Sequence, residues 1–124
     1  MRCILFLLLL SSTLSYSQVV DRYNFVQRPT ETGVTIAWRT SSLSTGTIEW
    51  GTDAFSLNNT LTESGATQKH YFDISGLTAN TKYYYQTSTD GGFTSALDFF
   101  YTAKTDASTK MAFLHYGDCG YNNT

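Results

Sequence analysis

Between Tyr23 and Tyr101 the chain repeatedly alternates apolar and polar residues, and short clusters rich in glycine, serine, threonine or asparagine separate the alternating stretches. A period of two is typical of strands that bury one face and expose the other. No helical period persists after the first 17 residues. The pattern therefore predicts an all-β fold that continues to about Thr105.

The alternating stretches suggest about seven strands, which is the number in an immunoglobulin-like or fibronectin type III β-sandwich. The segments with the clearest strand pattern are residues 23–28, 33–40, 47–50, 69–74, 82–87 and 97–101. Residues 56–65 are polar, and we expect them to form an irregular edge. Alternation also predicts which residues of a strand lie on the same face. Within each of the following sets, the residues are expected to share one face of their strand: Val34, Ile36 and Trp38; His70, Phe72 and Ile74; Tyr83 and Tyr85; and Leu97, Phe99 and Tyr101.

A local spacing supports the sandwich. Leu77 is followed six residues later by Tyr83, with Asn80 and Thr81 between them. This spacing suits a tyrosine corner, in which the ring packs under the sandwich and the hydroxyl bonds to backbone upstream.

The first 17 residues have the layout of a secretory signal peptide. Arg2 supplies a positive charge, an apolar block covers residues 3–10, and a polar stretch with small residues follows, so cleavage is expected after Ser17. The apolar block is shorter than the roughly 20 residues that a transmembrane helix needs. We therefore expect a secreted or periplasmic protein, in which Cys119 is the only thiol left and no internal disulfide forms.

Charge narrows the range of partners. The chain has 8 Lys and Arg against 10 Asp and Glu, for a formal net charge of −2. No cluster of basic residues occurs along the sequence, which argues against nucleic acid or an anionic membrane as the partner.

The pattern changes after a polar linker at residues 106–109. Residues 110–116 form a continuous apolar run, as expected of a strand covered on both faces in a parallel sheet. Asp118 follows, flanked by Gly117 and Gly120. A carboxylate in a glycine-flanked turn at a strand end is a candidate metal ligand. The alternative is that Gly-Asp simply forms a turn.

Other residues that could carry chemistry have structural explanations. His115 lies within the apolar run, and His70 lies on an inward face, so both are expected to pack and hydrogen-bond. Cys119 has no histidine or second cysteine at the spacing that catalysis requires. The three consecutive tyrosines at 83–85 could form a carbohydrate-stacking platform, but alternation turns only Tyr84 outward. The side chains of Trp38 and Trp50 are likewise interpreted as core packing.

Taken together, these segments resemble the start of a purple acid phosphatase of the secreted metallophosphoesterase group. The resemblance rests on FVQ at 25–27, GVTIAWRT at 33–40, IEWGT at 48–52, LTANTKYYY at 77–85, FFYTA at 99–103 and FLHYGDCG at 113–120. The specific feature is a sandwich followed directly by the Gly-Asp-x-Gly strand. The resemblance implies an N-terminal fibronectin type III-like domain at 18–105, and a linker and first strand of a truncated α/β metallophosphoesterase domain at 106–124.

The same resemblance implies a function. Asp118 would be a ligand to one metal of a two-metal centre, iron with zinc, manganese or a second iron, that hydrolyses phosphate monoesters. The family's other ligands stand in later motifs that this sequence does not contain, and Tyr121 is not in the motif of the family's tyrosine ligand. We therefore expect no phosphatase activity from this polypeptide alone. The alternative is a free-standing fibronectin type III-like module that binds or adheres outside the cell.

Overall fold

The computed structural model describes residues 18–105, which form seven strands in two antiparallel sheets. The strands are β1 (Val20–Gln27), β2 (Gly33–Ser44), β3 (Gly46–Gly51), β4 (Asn59–Thr62), β5 (Thr67–Ser75), β6 (Lys82–Thr89) and β7 (Asp98–Tyr101). One sheet has the order β1-β2-β5, and the other has the order β4-β3-β6-β7. The predicted all-β sandwich is confirmed.

The core lies between the two sheets, and the inward-facing residues of the strands in both sheets form it. Trp38 and Ile36 of β2 are 2% and 0% exposed, and Ile48 of β3 and Tyr85 of β6 are each 0% exposed. The other buried hydrophobic members of this cluster are Val34, Phe72, Ile74, Leu77, Tyr83 and Phe100. The inward faces predicted for the three strands that contain Trp38, His70 and Tyr83 are confirmed.

Strand β2 passes close to the second sheet at its end. Its pairing with β5 is regular from Gly33 to Arg39 and then shifts before Ser44 pairs with Thr67. Only Thr45 separates β2 from β3, which belongs to the other sheet. This short connection lies where the two sheets meet, and there Thr40 and Ser44 lie beside the side chain of His70.

One expectation needs correction. Residues 56–65 are not wholly irregular, because Asn59–Thr62 forms the edge strand β4 and pairs with β3. Leu97, Phe99 and Tyr101 share one face, as predicted, and because all three are exposed it is the solvent face; the buried residue of β7 is Phe100. A period of two shows which residues share a face but does not show which face is covered.

Within residues 18–105, no helix has the length and apolarity that crossing a bilayer requires.

Candidate functional site

The principal candidate ligand, Asp118, lies outside the described residues. The same holds for His115, Cys119 and Tyr121, for the signal peptide at 1–17, and for the linker and strand at 106–116. These remain predictions from sequence.

Among residues 18–105, no group of three or more His, Cys, Asp and Glu side chains is placed to hold a metal ion. The described sandwich therefore does not itself supply the donor set of a two-metal centre. Any such centre would depend on Asp118 and on donors outside this range.

His70 is at the centre of a buried polar network. Its side chain is fully buried, and Nδ1 lies 2.8 Å from Oε2 of Glu63, whose own side chain is 16% exposed. On the other side of the ring, Nε2 lies 3.1 Å from Oγ1 of Thr40 and 3.4 Å from Oγ of Ser44. Both ring nitrogens thus have partners, and the interpretation of His70 as a structural histidine agrees with this geometry.

The network is packed against Trp38. The ring of His70 stacks on Trp38 with centroids 4.7 Å apart, and Phe72 stacks on Trp38 at 5.3 Å. Trp50 is partly buried and packs against the same core. Nε1 of Trp38 is buried without a hydrogen-bond partner among the described residues. Both tryptophans serve packing, as predicted.

The tyrosine corner is present. The backbone N–H of Thr78 donates to the hydroxyl of Tyr83 over 3.0 Å. The hydroxyl of Thr102 donates to the carbonyl of Thr78 over 2.6 Å, so the segment that precedes β6 is tied to the residue that follows β7. This confirms the role predicted for Tyr83.

The three consecutive tyrosines are divided as alternation predicts. Tyr83 and Tyr85 are buried, whereas Tyr84 lies on the outer face beside Phe99. Nζ of Lys82 lies 4.5 Å from the ring centroid of Tyr84 and 4.0 Å from that of Phe99. The Tyr84 and Phe99 rings are inclined at 63° to each other. These two outer rings therefore do not lie in one plane, and Tyr83 and Tyr85 serve core packing, as predicted.

Tyr85 has the one clearly perturbed ionisation in the described part of the chain. Its hydroxyl donates to Oδ2 of Asp98 over 3.2 Å. Burial, and then the charge of Asp98 and this hydrogen bond, raise the pKa of the Tyr85 hydroxyl far above its ordinary value. Tyr85 therefore stays protonated and acts as a hydrogen-bond donor.

Sequence reasoning missed one feature, a row of cations across the outer face of the β1-β2-β5 sheet. Arg22 of β1 pairs with Arg39 of β2, and Arg39 pairs with Lys69 of β5. The three residues are far apart in sequence, so no basic cluster is visible there. Alternation along β2 does predict that Arg39 faces outward. Only the pairing register of the three strands shows that Arg22 and Lys69 lie beside it.

No protein-family model and no curated protein matches this chain. Among solved structures, the chain is similar to part of PhoD, with 16% sequence identity and a TM-score of 0.57 over 66% of this chain and 19% of PhoD. The chain thus spans about a fifth of PhoD.

It is also similar to the sensor domain of the anti-sigma factor RsgI4 of Pseudobacteroides cellulosolvens. A short form of that domain matches with 14% identity and a TM-score of 0.54 over 72% of this chain and 97% of that domain. A long form matches with 13% identity and a TM-score of 0.53 over 77% of this chain and 100% of that domain. At these identities the likenesses show a shared β-sandwich fold.

Proposed function

We propose that this chain is the N-terminal portion of a secreted, metal-dependent acid phosphatase that hydrolyses phosphate monoesters. The observation that carries the proposal is the order of its parts. A seven-stranded sandwich at 18–105 is followed by the apolar run and the Gly117-Asp118-Cys119-Gly120 motif, as in the purple acid phosphatases that the sequence resembles.

The proposal divides the work between two regions. Asp118 would be the first ligand of a dinuclear centre of iron with zinc, manganese or iron, and such a centre, when bound, supplies a hydroxide nucleophile and holds the attacking and leaving oxygens. The sandwich would be an accessory domain, since no three His, Cys, Asp or Glu side chains among residues 18–105 are grouped to hold a metal. The segment at 1–17 would direct export.

The likeness to PhoD, a phosphoesterase, supports the proposal at the level of fold. A sandwich that matches only 19% of that chain suits a small accessory domain of a larger enzyme.

The coding sequence after codon 124 provides the direct test. Further Gly-Asp-x-x-Tyr, Gly-Asn-His and Gly-x-His motifs in frame are expected, because two metals require donors beyond Asp118. In an enzyme that includes them, Asp118→Asn should abolish metal-dependent hydrolysis of an aryl phosphate. Glu31→Gln, at an exposed position of the sandwich, should leave hydrolysis unchanged. An intact frame without further donors would refute the proposal.

The chain by itself gives a second test. Purified and supplied with iron, zinc or manganese, the 124-residue chain is expected to hydrolyse an aryl phosphate no faster than the buffer does. Turnover that depends on added metal would overturn the expectation that this chain lacks a complete donor set.

A free-standing extracellular binding module is the second candidate. It is favoured by the likeness to the RsgI4 sensor domain, of which 97% of the short form is matched, because that domain is a sandwich of this size. The two candidates differ in the requirement for Asp118: a binding module would retain its function in Asp118→Asn, whereas the phosphatase would not.

A further inference from the structure

The outer face of the β1-β2-β5 sheet contains a groove with a volume of about 410 Å³. This volume falls within the range of small-molecule sites, which is roughly 300–1,000 Å³. The face points away from the core that the two sheets share.

Ala37 lies beneath the groove and is only 1% exposed, and the residues on either side of it, the walls of the groove, are aromatic. On β2, Ala37 pairs with Phe25 of β1 on one side and with Tyr71 of β5 on the other. Neighbouring strands lie about 4.8 Å apart, so the backbones that carry the two rings are about 10 Å apart across Ala37. A flat group in contact with both walls needs roughly 7 Å between them. The width therefore suits one planar ring between Phe25 and Tyr71, above the buried Ala37.

One end of the groove is cationic. Arg22, Arg39 and Lys69 lie opposite one another on the three strands and line the same groove. Residues 18–105 contain six Lys and Arg in all, so half of them line this one groove in a chain of net charge −2. Like charges directly opposite each other on paired strands are destabilising, so an anion bound here would relieve repulsion.

The carboxylate that lines the groove does not cancel this charge. Oδ2 of Asp21 lies 3.5 Å from Nε of Arg39, and the two side chains are 43% and 50% exposed. An ion pair this exposed is weak, so a ligand oxyanion can displace it. The guanidinium of Arg22 lies 5.3 Å from the ring centroid of Phe25, which places a cation directly beside the aromatic wall.

We propose that this groove binds a small organic anion with a planar ring, in which the oxyanion contacts Arg22, Arg39 and Lys69 and the ring lies between Phe25 and Tyr71. A guanidinium suits a carboxylate or phosphonate because it can donate two parallel hydrogen bonds. None of these residues is involved in the proposed role of Asp118. The site can therefore be tested separately from phosphatase activity.

Phenylphosphonate is the probe of choice, since a phosphomonoesterase does not hydrolyse its carbon–phosphorus bond. Titrated into the ¹⁵N-labelled full chain, it should shift the amide resonances of Ala37, Lys69 and Tyr71 in a saturable manner. Methylphosphonate lacks the ring, cyclohexylphosphonate is not planar and benzyl alcohol lacks the charge. Each should bind at least about tenfold more weakly.

Four variants locate the site. Arg39→Gln should weaken phenylphosphonate binding about tenfold, because it removes a charge-assisted contact. Asp21→Asn should tighten binding a few-fold, because it frees Arg39 from its competitor. Tyr71→Ala, at a position that is 58% exposed, should weaken binding about tenfold because it removes one wall. Lys104→Gln makes the same charge change as Arg39→Gln at an exposed position outside the groove, and should leave affinity within about twofold.

The opposite signs expected for Asp21→Asn and Arg39→Gln keep the test independent of folding, because both positions are partly exposed. The proposal is overturned by equal effects of Arg39→Gln and Lys104→Gln, by shifts confined to residues elsewhere, or by no saturation up to about 10 mM. Equal affinity for phenyl- and cyclohexylphosphonate would overturn the part of the proposal that concerns the planar ring.

Discussion

The imidazole of His70 and the carboxylate of Glu63 meet where the two sheets come together, with Nδ1 and Oε2 2.8 Å apart. The same Oε2 accepts the backbone N–H of Gly46 over 2.7 Å. Glu63, in the segment between β4 and β5, therefore binds a side chain of one sheet and the backbone of the other. A single carboxylate thus couples the two layers, in addition to the apolar core.

Replacing Glu63 by alanine should destabilise the sandwich. Two donors, Nδ1 of His70 and N of Gly46, would lose their common acceptor, and a buried donor left without a partner costs about 1–3 kcal/mol. Glu63→Gln keeps an acceptor oxygen in reach and should recover most of the loss. Urea unfolding measures both variants. Glu49→Ala, at an exposed position, is the control and should stay within about 0.5 kcal/mol of the parent.

Gly46 should not tolerate a side chain. A Cβ at this position would lie 2.7 Å from Nδ1 of His70, 2.9 Å from Oε2 of Glu63 and 2.9 Å from Cζ2 of Trp38. Overpacking of this kind costs typically about 1–3 kcal/mol, so Gly46→Ala should lower the urea midpoint. Gly65→Ala is the matched control, since nothing lies within 4 Å of its Cβ. Equal midpoints for the two variants would contradict the close packing around His70.

The strands that bury one face could be predicted from the sequence. Trp38 and His70 could be assigned inward from alternation alone, because a strand on the core has to place every second residue there. Asn59–Thr62 could not be predicted as a strand because all four residues are exposed, so no alternation of apolar and polar residues marks it. Its pairing with β3 comes from tertiary structure.

The candidate site was less accessible to sequence reasoning than the fold. The groove depends on Arg22, Arg39 and Lys69 standing in one row, and this follows from the pairing register of three strands. A slip of one residue would turn any of them to the other face. Asp118 is the reverse case, since a motif indicates it although it lies outside the described residues.

Removing the Tyr83 hydroxyl should weaken the corner without disturbing the core. In Tyr83→Phe the N–H of Thr78 loses its acceptor, while the ring remains to stack on Phe100, whose centroid is 5.6 Å away. The expected loss is about 1 kcal/mol in the free energy of unfolding. Tyr23→Phe provides the control because Tyr23 is 78% exposed. If both variants unfold at the same urea concentration, the hydroxyl contributes nothing to the corner.

Tyr85 should make stability depend on pH above about 10. Burial first, and then the charge and hydrogen bond of Asp98, raise the pKa of the Tyr85 hydroxyl in the folded protein above its ordinary value of 10.0. Below pH 9 the hydroxyl is protonated in both the folded and the unfolded chain, and its contribution to the free energy of unfolding is fully present. As pH rises through 10, the unfolded chain releases this proton while the folded chain retains it, so stability falls by up to about 1.4 kcal/mol per pH unit.

The measurement compares the free energy of unfolding of the parent and Tyr85→Phe between pH 8 and 11. The parent's value minus the variant's should be constant up to about pH 9 and then decline, because the other tyrosines contribute equally to both proteins. In Asp98→Asn the largest cause, burial, remains, so most of the decline should remain too. Parallel curves for the parent and Tyr85→Phe throughout this range would show that Tyr85 ionises equally easily in both states.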